Sequence, residues 1–249
     1  MDHVGRAMAS GFEDPEEPTP PLALVDNAAA AQFARLAVEL HDTDGVDETV
    51  QAVVEFALQA LDCSHAGVAL VVRGGRLEIP AVTDPVVADI YQLQASGTAG
   101  PLTESMKHRT TVLVGDTVSD PRWPDWAARV VELGVRSVLD VPLTTSAGTV
   151  GVLGLYSAHP DAFGADEEAI AHILARHASV AVATARHEET MSAAVDARKL
   201  VGQAMGILME RYAIDGDRAF AILRRYSQDT NTKLRDVAQQ LIDTRRLPR

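Results

Sequence analysis

The sequence predicts an α+β domain with an antiparallel sheet flanked by helices, joined by one long helix to an all-α unit of three helices. Three observations predict it. Short β-rich runs broken by Gly and Pro turns fill the segment 66–156. An almost unbroken helical periodicity follows over 166–212. Two amphipathic helices then close the chain, each preceded by good capping residues. One to two domains are expected of 249 residues, and a hydrophobic share of 47% is enough to bury real cores. Aromatic residues make up only 4%, so aliphatic side chains and Ala must do most of the packing.

Residues 1–25 combine Pro15, Pro18, Pro20 and Pro21 with Glu13, Asp14, Glu16 and Glu17, and read as a disordered acidic terminus. A helix is expected over 26–41, capped by Asp26, with Phe33, Leu36, Ala37 and Leu40 on its apolar side. A second over 46–61 presents Val46, Val50, Val53, Val54, Ala57, Leu58 and Leu61. Strands at 66–73 and 76–82 flank Gly74-Gly75, a hairpin signal. A short helix near 85–94, a loop at 96–103 and a short strand at 111–114 follow. Pro121 and Pro124 mark a loop, 125–133 a helix ended by Gly134, and 136–144 and 149–156 two strands around the turn Ser146–Gly148.

In the long helix Ile170, Ile173, Leu174, His177, Val180, Ala181 and Thr184 repeat at helical spacing; Met191, Ala194 and Val195, then Leu200, Val201, Ala204, Ile207 and Leu208, continue it. A helix this long with an apolar stripe needs a cover, and a second copy of the chain in a coiled coil is the simplest one. Gly202 and Gly206 sit inside it, where Gly costs about 1 kcal/mol relative to Ala, so a close helix approach is expected at Gly206. Beyond Tyr212, Asp215 should cap a helix presenting Ala219, Phe220 and Leu223. Asn231 or Thr232 should cap another presenting Leu234, Val237, Ala238, Leu241 and Ile242.

The net charge of −13 is unevenly spread. Residues 191–249 hold 11 Lys+Arg against 7 Asp+Glu, a balance of +4, leaving −17 on residues 1–190. That asymmetry points to a partner for the basic tail. No apolar run is long enough for a membrane span and no basic-then-apolar leader opens the sequence, so a cytoplasmic location without membrane contact is expected. The single Cys63 reads as a buried core thiol. No GxSxG, HExxH, CxxC, GxxxxGK[ST] or GxGxxG is present, the eight His are scattered without helical metal-site spacing, and no catalytic set or metal site is assigned. Asp116, Asp120 and Asp125 share one acidic loop region, open to cation binding or to turn capping.

From about 35 to 188 the chain resembles a GAF domain. The features are Val114–Asp116 leading into Asp120-Pro121-Arg122-Trp123-Pro124, then Gly134-Val135-Arg136-Ser137, Val141-Pro142-Leu143, Gly151-Val152-Leu153-Gly154-Leu155-Tyr156 and Phe163. The resemblance implies a sensor domain over 26–188 that either holds a small-molecule ligand between sheet and helices or serves as a dimer platform. It leaves the cofactor unknown, and the signal either a small molecule or a protein.

The tail resembles an ANTAR domain over nearly its whole length, assigned here to 189–249. Ala204, Gly206, Leu208, Met209, Ala219, Leu223, Ser227, Asn231, Leu234 and Ala238 carry the match; Met205 stands where many members have a basic residue. The resemblance implies a three-helix domain that binds paired RNA stem-loops in nascent transcripts as a homodimer and promotes transcription antitermination. The residues expected at the RNA are Arg198, Lys199, Arg211, Arg224, Arg225, Tyr226, Asn231, Lys233 and Arg235. Cations beside a helix N-terminus suit phosphates, and Tyr226 and Asn231 suit stacking on and hydrogen bonding to loop bases. The rival reading is a helix-turn-helix DNA-binding transcription factor, since two short helices with basic flanks look alike in sequence.

Overall fold

The structure, a computed structural model, describes residues 27–72 and 74–246. The expectations for the acidic terminus and for Asp26 as a cap lie outside the described residues. Helices α1 (Asn27–Asp42) and α2 (Val46–Ala60) lead into β1 (His65–Val71) and β2 (Leu77–Val82). Then come α3 (Pro85–Ala95), α4 (Pro101–His108), β3 (Val112–Val114), α5 (Pro124–Glu132), β4 (Ser137–Thr145) and β5 (Gly148–Ser157). Helix α6 (Ala165–Tyr212) runs for 48 residues, followed by α7 (Gly216–Asp229) and α8 (Leu234–Thr244).

The five strands form one sheet in the order β2-β1-β5-β4-β3, and every pairing is antiparallel. Each inner strand alternates between two covered faces. Leu139, Val141 and Leu143 of β4 and Leu153 and Leu155 of β5 pack with α1, α2 and the first half of α6. Val138 of β4 and Val152 and Tyr156 of β5 pack with α3, α4 and α5. A third, separate core holds Ala204 and Leu208 of α6, Ala219 and Leu223 of α7, and Val237, Ala238 and Leu241 of α8.

Three local expectations change. The loop expected at 96–103 ends at Pro101, the first residue of α4. Its N-terminal donors Leu102 N and Thr103 N are satisfied by Gln94 Oε1 at 3.0 and 3.4 Å, a partner on another helix that no local capping signal encodes. Phe220 is not on the buried face of α7 and is 38% exposed; Ile222 and Tyr226 complete that face with Ala219 and Leu223. Neither Asn231 nor Thr232 caps α8, whose N-cap is Lys233 without a side-chain bond. Asn231 (φ 50) instead closes α7: Asn231 N donates to Gln228 O at 3.3 Å and Thr232 N to Ser227 O at 3.1 Å. That is the paired-bond C-terminal motif in which a left-handed residue ends a helix, a conformation Asn tolerates better than most.

The stripe expected on the first half of α6 divides into two. The sheet receives Ala171, Leu174, Ala175, Ala178 and Val182. Ile173 and Val180 remain 45% and 62% exposed, with His177 and Thr184 beside them.

Candidate nucleic-acid interface and sensor core

The three-helix unit is ordered by its turns. Asp215 Oδ1 accepts from Arg218 N at 2.8 Å, so the expected cap starts α7. At the far end Arg211 Nη1 donates to Arg245 O at 2.6 Å, which fixes the C-terminus of α8 beside the C-terminus of α6. The 11 residues of α8 therefore climb back along α6 by about 16 Å, at 1.5 Å per residue, to the level of Leu200–Ala204. The α7–α8 turn lies at that level too.

This placement sorts the expected RNA residues. Arg225 and Tyr226 on the last turns of α7, Asn231 and Lys233 in the turn, and Arg235 on the first turn of α8 come together at one end of the unit. Arg198 and Lys199 of α6 lie at the same end, and Arg224 one step before Arg225. Arg211 lies at the opposite end with its guanidinium committed to a carbonyl. Arg198, Lys199, Arg224, Arg225, Asn231, Lys233 and Arg235 are exposed. Arg225 faces Asp229 at 3.5 Å and Arg235 faces Asp236 at 3.0 Å, both pairs exposed and weak. Tyr226 is half-buried and lines an open hollow of ≈ 780 Å³ with Ile222, Arg225, Asp229 and Thr230. Met205, in the place of a basic residue, is a packing group, its Cε 3.6 Å from where a Cβ on Gly216 would stand. The close approach expected at Gly206 is not made among the described residues: a Cβ at Gly202 or Gly206 would meet none of their atoms within 4 Å, because both face away from α7 and α8.

The sensor region has a polar layer between the sheet and α3–α4–α5. Asp140 of β4, Gly154 of β5 and Gly67 of β1 stand side by side across the sheet. The two glycines leave room for the Tyr91 ring, whose OH donates to Gly67 O at 2.8 Å. Tyr91 OH, Tyr156 OH and Asp140 Oδ1 all lie within 2.8 Å of where a Cβ on Gly154 would be. Farther along the layer, Gln94 Oε1 and Trp126 Cδ1 meet over Gly100 in the same way. Burial pushes the Asp140 carboxyl up to about 8, and burial pushes both phenols well above their ordinary range. Sequence reasoning alone does not single out Asp140. The signal available was a charged residue in the middle of the apolar strand SVLDVPL, opposite a glycine.

The acidic loop is engaged locally. Arg136 bonds both oxygens of Asp116 at 3.0 and 2.9 Å and holds that carboxyl below the usual carboxylate range; Arg122 does the same for Asp120. Asp116 and Asp120 also accept from Val118 N and Arg122 N, so turn capping is the reading the geometry favours over a cation site. Cys63 is half-buried against the first core, and burial pushes its thiol up to about 11.

Residues 43–183 match the GAF domain family, over half of the chain. The chain belongs to the GAF domain family. Residues 189–242 match the ANTAR domain, so a GAF domain is followed directly by an ANTAR domain on one continuous helix. Both are sensor and regulatory domains rather than catalytic ones, and together they make a signal-sensing regulator of the ANTAR type.

Solved structures agree on the first domain. The GAF domain of an Acinetobacter phosphoenolpyruvate-protein phosphotransferase superposes with a TM-score of 0.52 at 15% identity, over 66% of this chain and 98% of that one. Free methionine-R-sulfoxide reductase from Neisseria meningitidis, solved with its substrate, gives 0.51 at 18%, over 65% and 93%. The photosensory core module of a Stigmatella aurantiaca phytochrome gives 0.57 at 11%, over 82% and 45%. At these identities the likeness establishes the fold alone. No curated protein matches the chain. Among the described residues, no helix is long and apolar enough to cross a membrane.

Proposed function

We propose that the ANTAR domain binds paired RNA stem-loops in nascent transcripts and promotes transcription antitermination, under control of the GAF domain. The observation that carries this reading is the gathering of Arg224, Arg225, Lys233 and Arg235 with Tyr226 and Asn231 at one end of the three-helix unit, with Arg198 and Lys199 at the same level on the outer side of α6. Exposed cations fix phosphates, while an aromatic ring and an amide can stack on and hydrogen-bond to unpaired bases. Holding one hairpin in place denies its strand to a competing terminator, which is antitermination in physical terms.

A homodimer fits this reading, since two paired stem-loops call for two basic ends. Exposed Ile173, Val180, Met191, Val195 and Met209 fall on one side of α6, with Gly202 and Gly206 between the last two. At 3.6 residues per turn all seven lie within a face roughly 80° wide, the pattern of a helix seam. A hollow of ≈ 490 Å³ between α1 and α6, lined by Ala37, Leu40, His177, Val180, Ala181 and Thr184, continues it over the GAF domain.

The test is a salt-series titration of the purified chain against tandem stem-loop RNA, with duplex DNA of matched sequence beside it. Selective RNA binding that weakens steeply with salt is expected. Arg225→Ala should weaken binding across sequences and reduce the salt slope by about 1. Preference for the duplex would replace this reading with a helix-turn-helix DNA-binding factor, because α7 and α8 are joined by a turn of helix-turn-helix length.

A further inference from the structure

Helix α6 leaves one face uncovered all the way from the sheet domain to the three-helix unit. Positions 177, 180, 184, 188, 191, 195, 198, 202, 206 and 209 are all exposed and fall on one side of the helix. Val180, Met191, Val195 and Met209 among them are large apolar side chains open to solvent. A stripe of this kind is stable only under a cover.

The intervals between these positions are 3, 4, 4, 3, 4, 3, 4, 4 and 3, and they read the same in both directions. The centre of symmetry is Ala193. A second copy of α6 laid antiparallel across that point meets the stripe in register along its whole length. The register holds even where two four-residue steps meet, at Thr184 and at Gly202.

Side-chain chemistry separates this arrangement from a parallel one. In a parallel pair every residue faces its own copy, so Glu188 meets the partner's Glu188 and Arg198 meets the partner's Arg198. Like charges in a helix seam cost stability and select against that pairing. In the antiparallel pair Glu188 faces the partner's Arg198, twice by symmetry, and Met191 faces the partner's Val195. Bulk also meets space: Val180 faces the partner's Gly206 and Thr184 faces the partner's Gly202. A Cβ at either glycine would touch no atom of the described residues within 4 Å, so the gap is open to a side chain from outside. The long-range charge agrees. A parallel pair sets the −17 of residues 1–190 beside its copy, whereas the antiparallel pair sets it beside the +4 of the partner's tail.

We propose that two copies of the chain pair antiparallel along α6, centred on Ala193, so that the ANTAR unit of each copy lies alongside the GAF domain of the other. The inference rests on the homodimer proposed above and gives it an orientation and a set of contacts. The hollow of ≈ 490 Å³ between α1 and α6, lined by His177, Val180 and Thr184, lies under the partner's helix over 202–209. Each sensor domain then borders the RNA-binding unit of the other chain, and a signal passes between chains as well as along α6.

Sedimentation of the full chain measures the dimer. Glu188→Arg alone and Arg198→Glu alone should each weaken it roughly tenfold, as two facing pairs turn from opposite to like charge. The double reversal should restore it. A parallel pair loses nothing in either single variant, because like charges face each other before and after. Orientation is also read without a change of charge balance in the folded unit. Glu188→Cys protein is mixed with Arg198→Cys protein and oxidised, with wild type carried through as the control for Cys63. A cross-link between positions 188 and 198 is expected, and none between two copies of position 188, which the antiparallel pair holds about 15 Å apart along the axis. Cross-linking of 188 to 188, or full dimer affinity in both single charge variants, would overturn the antiparallel arrangement while leaving the homodimer in place. A monomeric wild type would remove both. RNA titration of the same preparations shows whether the RNA reading stands apart from either result.

Discussion

A carboxyl buried beneath two phenols keeps its proton far longer than one in water, and desolvation holds Asp140 up to about 8. In the unfolded chain the same group titrates near 3.9. Between those values the folded chain binds one proton more than the unfolded one. The stability this group contributes is complete below the unfolded value and is lost as pH rises through the folded one. The titratable groups facing it are Tyr91 and Tyr156, both pushed up and uncharged over that range, while Asp89 on α3, Lys107 on α4 and Asp125 and Arg129 on α5 are exposed. Urea unfolding of the wild type against Asp140→Asn at pH 5, 6, 7 and 8 should show the wild type losing ground steadily; a constant difference would refute the assignment. A second residue-scale contrast lies in the tail. Arg211→Ala should lower the melting temperature of the ANTAR unit by removing the bond to Arg245 O, and should cost less RNA affinity than Arg225→Ala, since Arg211 sits at the far end. If Arg211→Ala weakened RNA more than Arg225→Ala, the sorting of the basic residues would be wrong. Sequence alone reads all nine of these polar residues as equals, because only the return of α8 along α6 separates one end from the other.

Helices whose signals are local are legible, and those whose signals come from elsewhere are not. Asp215 caps α7 three residues from the N–H it satisfies, Gly134 (φ 82) follows α5, and Gly74-Gly75 turns the first hairpin; each is readable from a few neighbours. Helix α4 escapes such reading because Gln94 supplies its cap from α3, and Asn231 misleads because a residue good at starting one helix is equally good at ending another. The core of the three-helix unit was legible in its spacing, and its small size makes it fragile. Leu241→Ala, at a site with no exposure, should cost about 2–5 kcal/mol. For a unit this small that is most of its stability. Circular dichroism should show loss of tail helicity and RNA binding should vanish, while the sheet domain keeps its own melting transition. A single unchanged transition would mean the two units share one core. The glycines make the opposite prediction. In a lone helix Gly206→Ala should stabilise by about 1 kcal/mol, since the added Cβ meets nothing. If two copies of α6 pack at that face, the same methyl group must separate them. Sedimentation should then show a weaker dimer despite a more helical chain; an unchanged or tighter dimer would place the seam elsewhere.

At the scale of the whole molecule, α6 is at once a wall of the GAF domain, a helix of the ANTAR domain and the link between them. It has no buried residue between Ala185 and Ala204, a span of about 28 Å at 1.5 Å per residue. Glu189 marks where it leaves the GAF domain: its Oε1 accepts from Val46 N at 2.8 Å and caps α2, whose own N-cap is a glycine. Exposed Met191 and Val195 lie just beyond, on the same side as Ile173 and Val180 before it. The spacing of this stripe runs 173, 177, 180, 184, then 188, 191, 195, 198, 202, so two four-residue steps meet at Thr184. Such a stutter locally unwinds a coiled coil, and it falls where the GAF domain hands the helix over. If two copies of the chain pair along this stripe, as proposed, a sensor event that shifts α6 against α2 would reach the basic ends through the phase of one copy of α6 against the other. Inserting seven residues of heptad pattern after Glu188 restores the helix phase to within about 20°, whereas inserting three turns it by about 300°. The seven-residue insertion should preserve both dimerisation and affinity for tandem stem-loops. The three-residue insertion should keep single stem-loop binding but lose the tandem advantage, because the two basic ends no longer share a register. Equal tandem affinity in both insertions would mean that α6 acts as a tether rather than a rigid link, and control of the RNA-binding end would have to pass through some other contact.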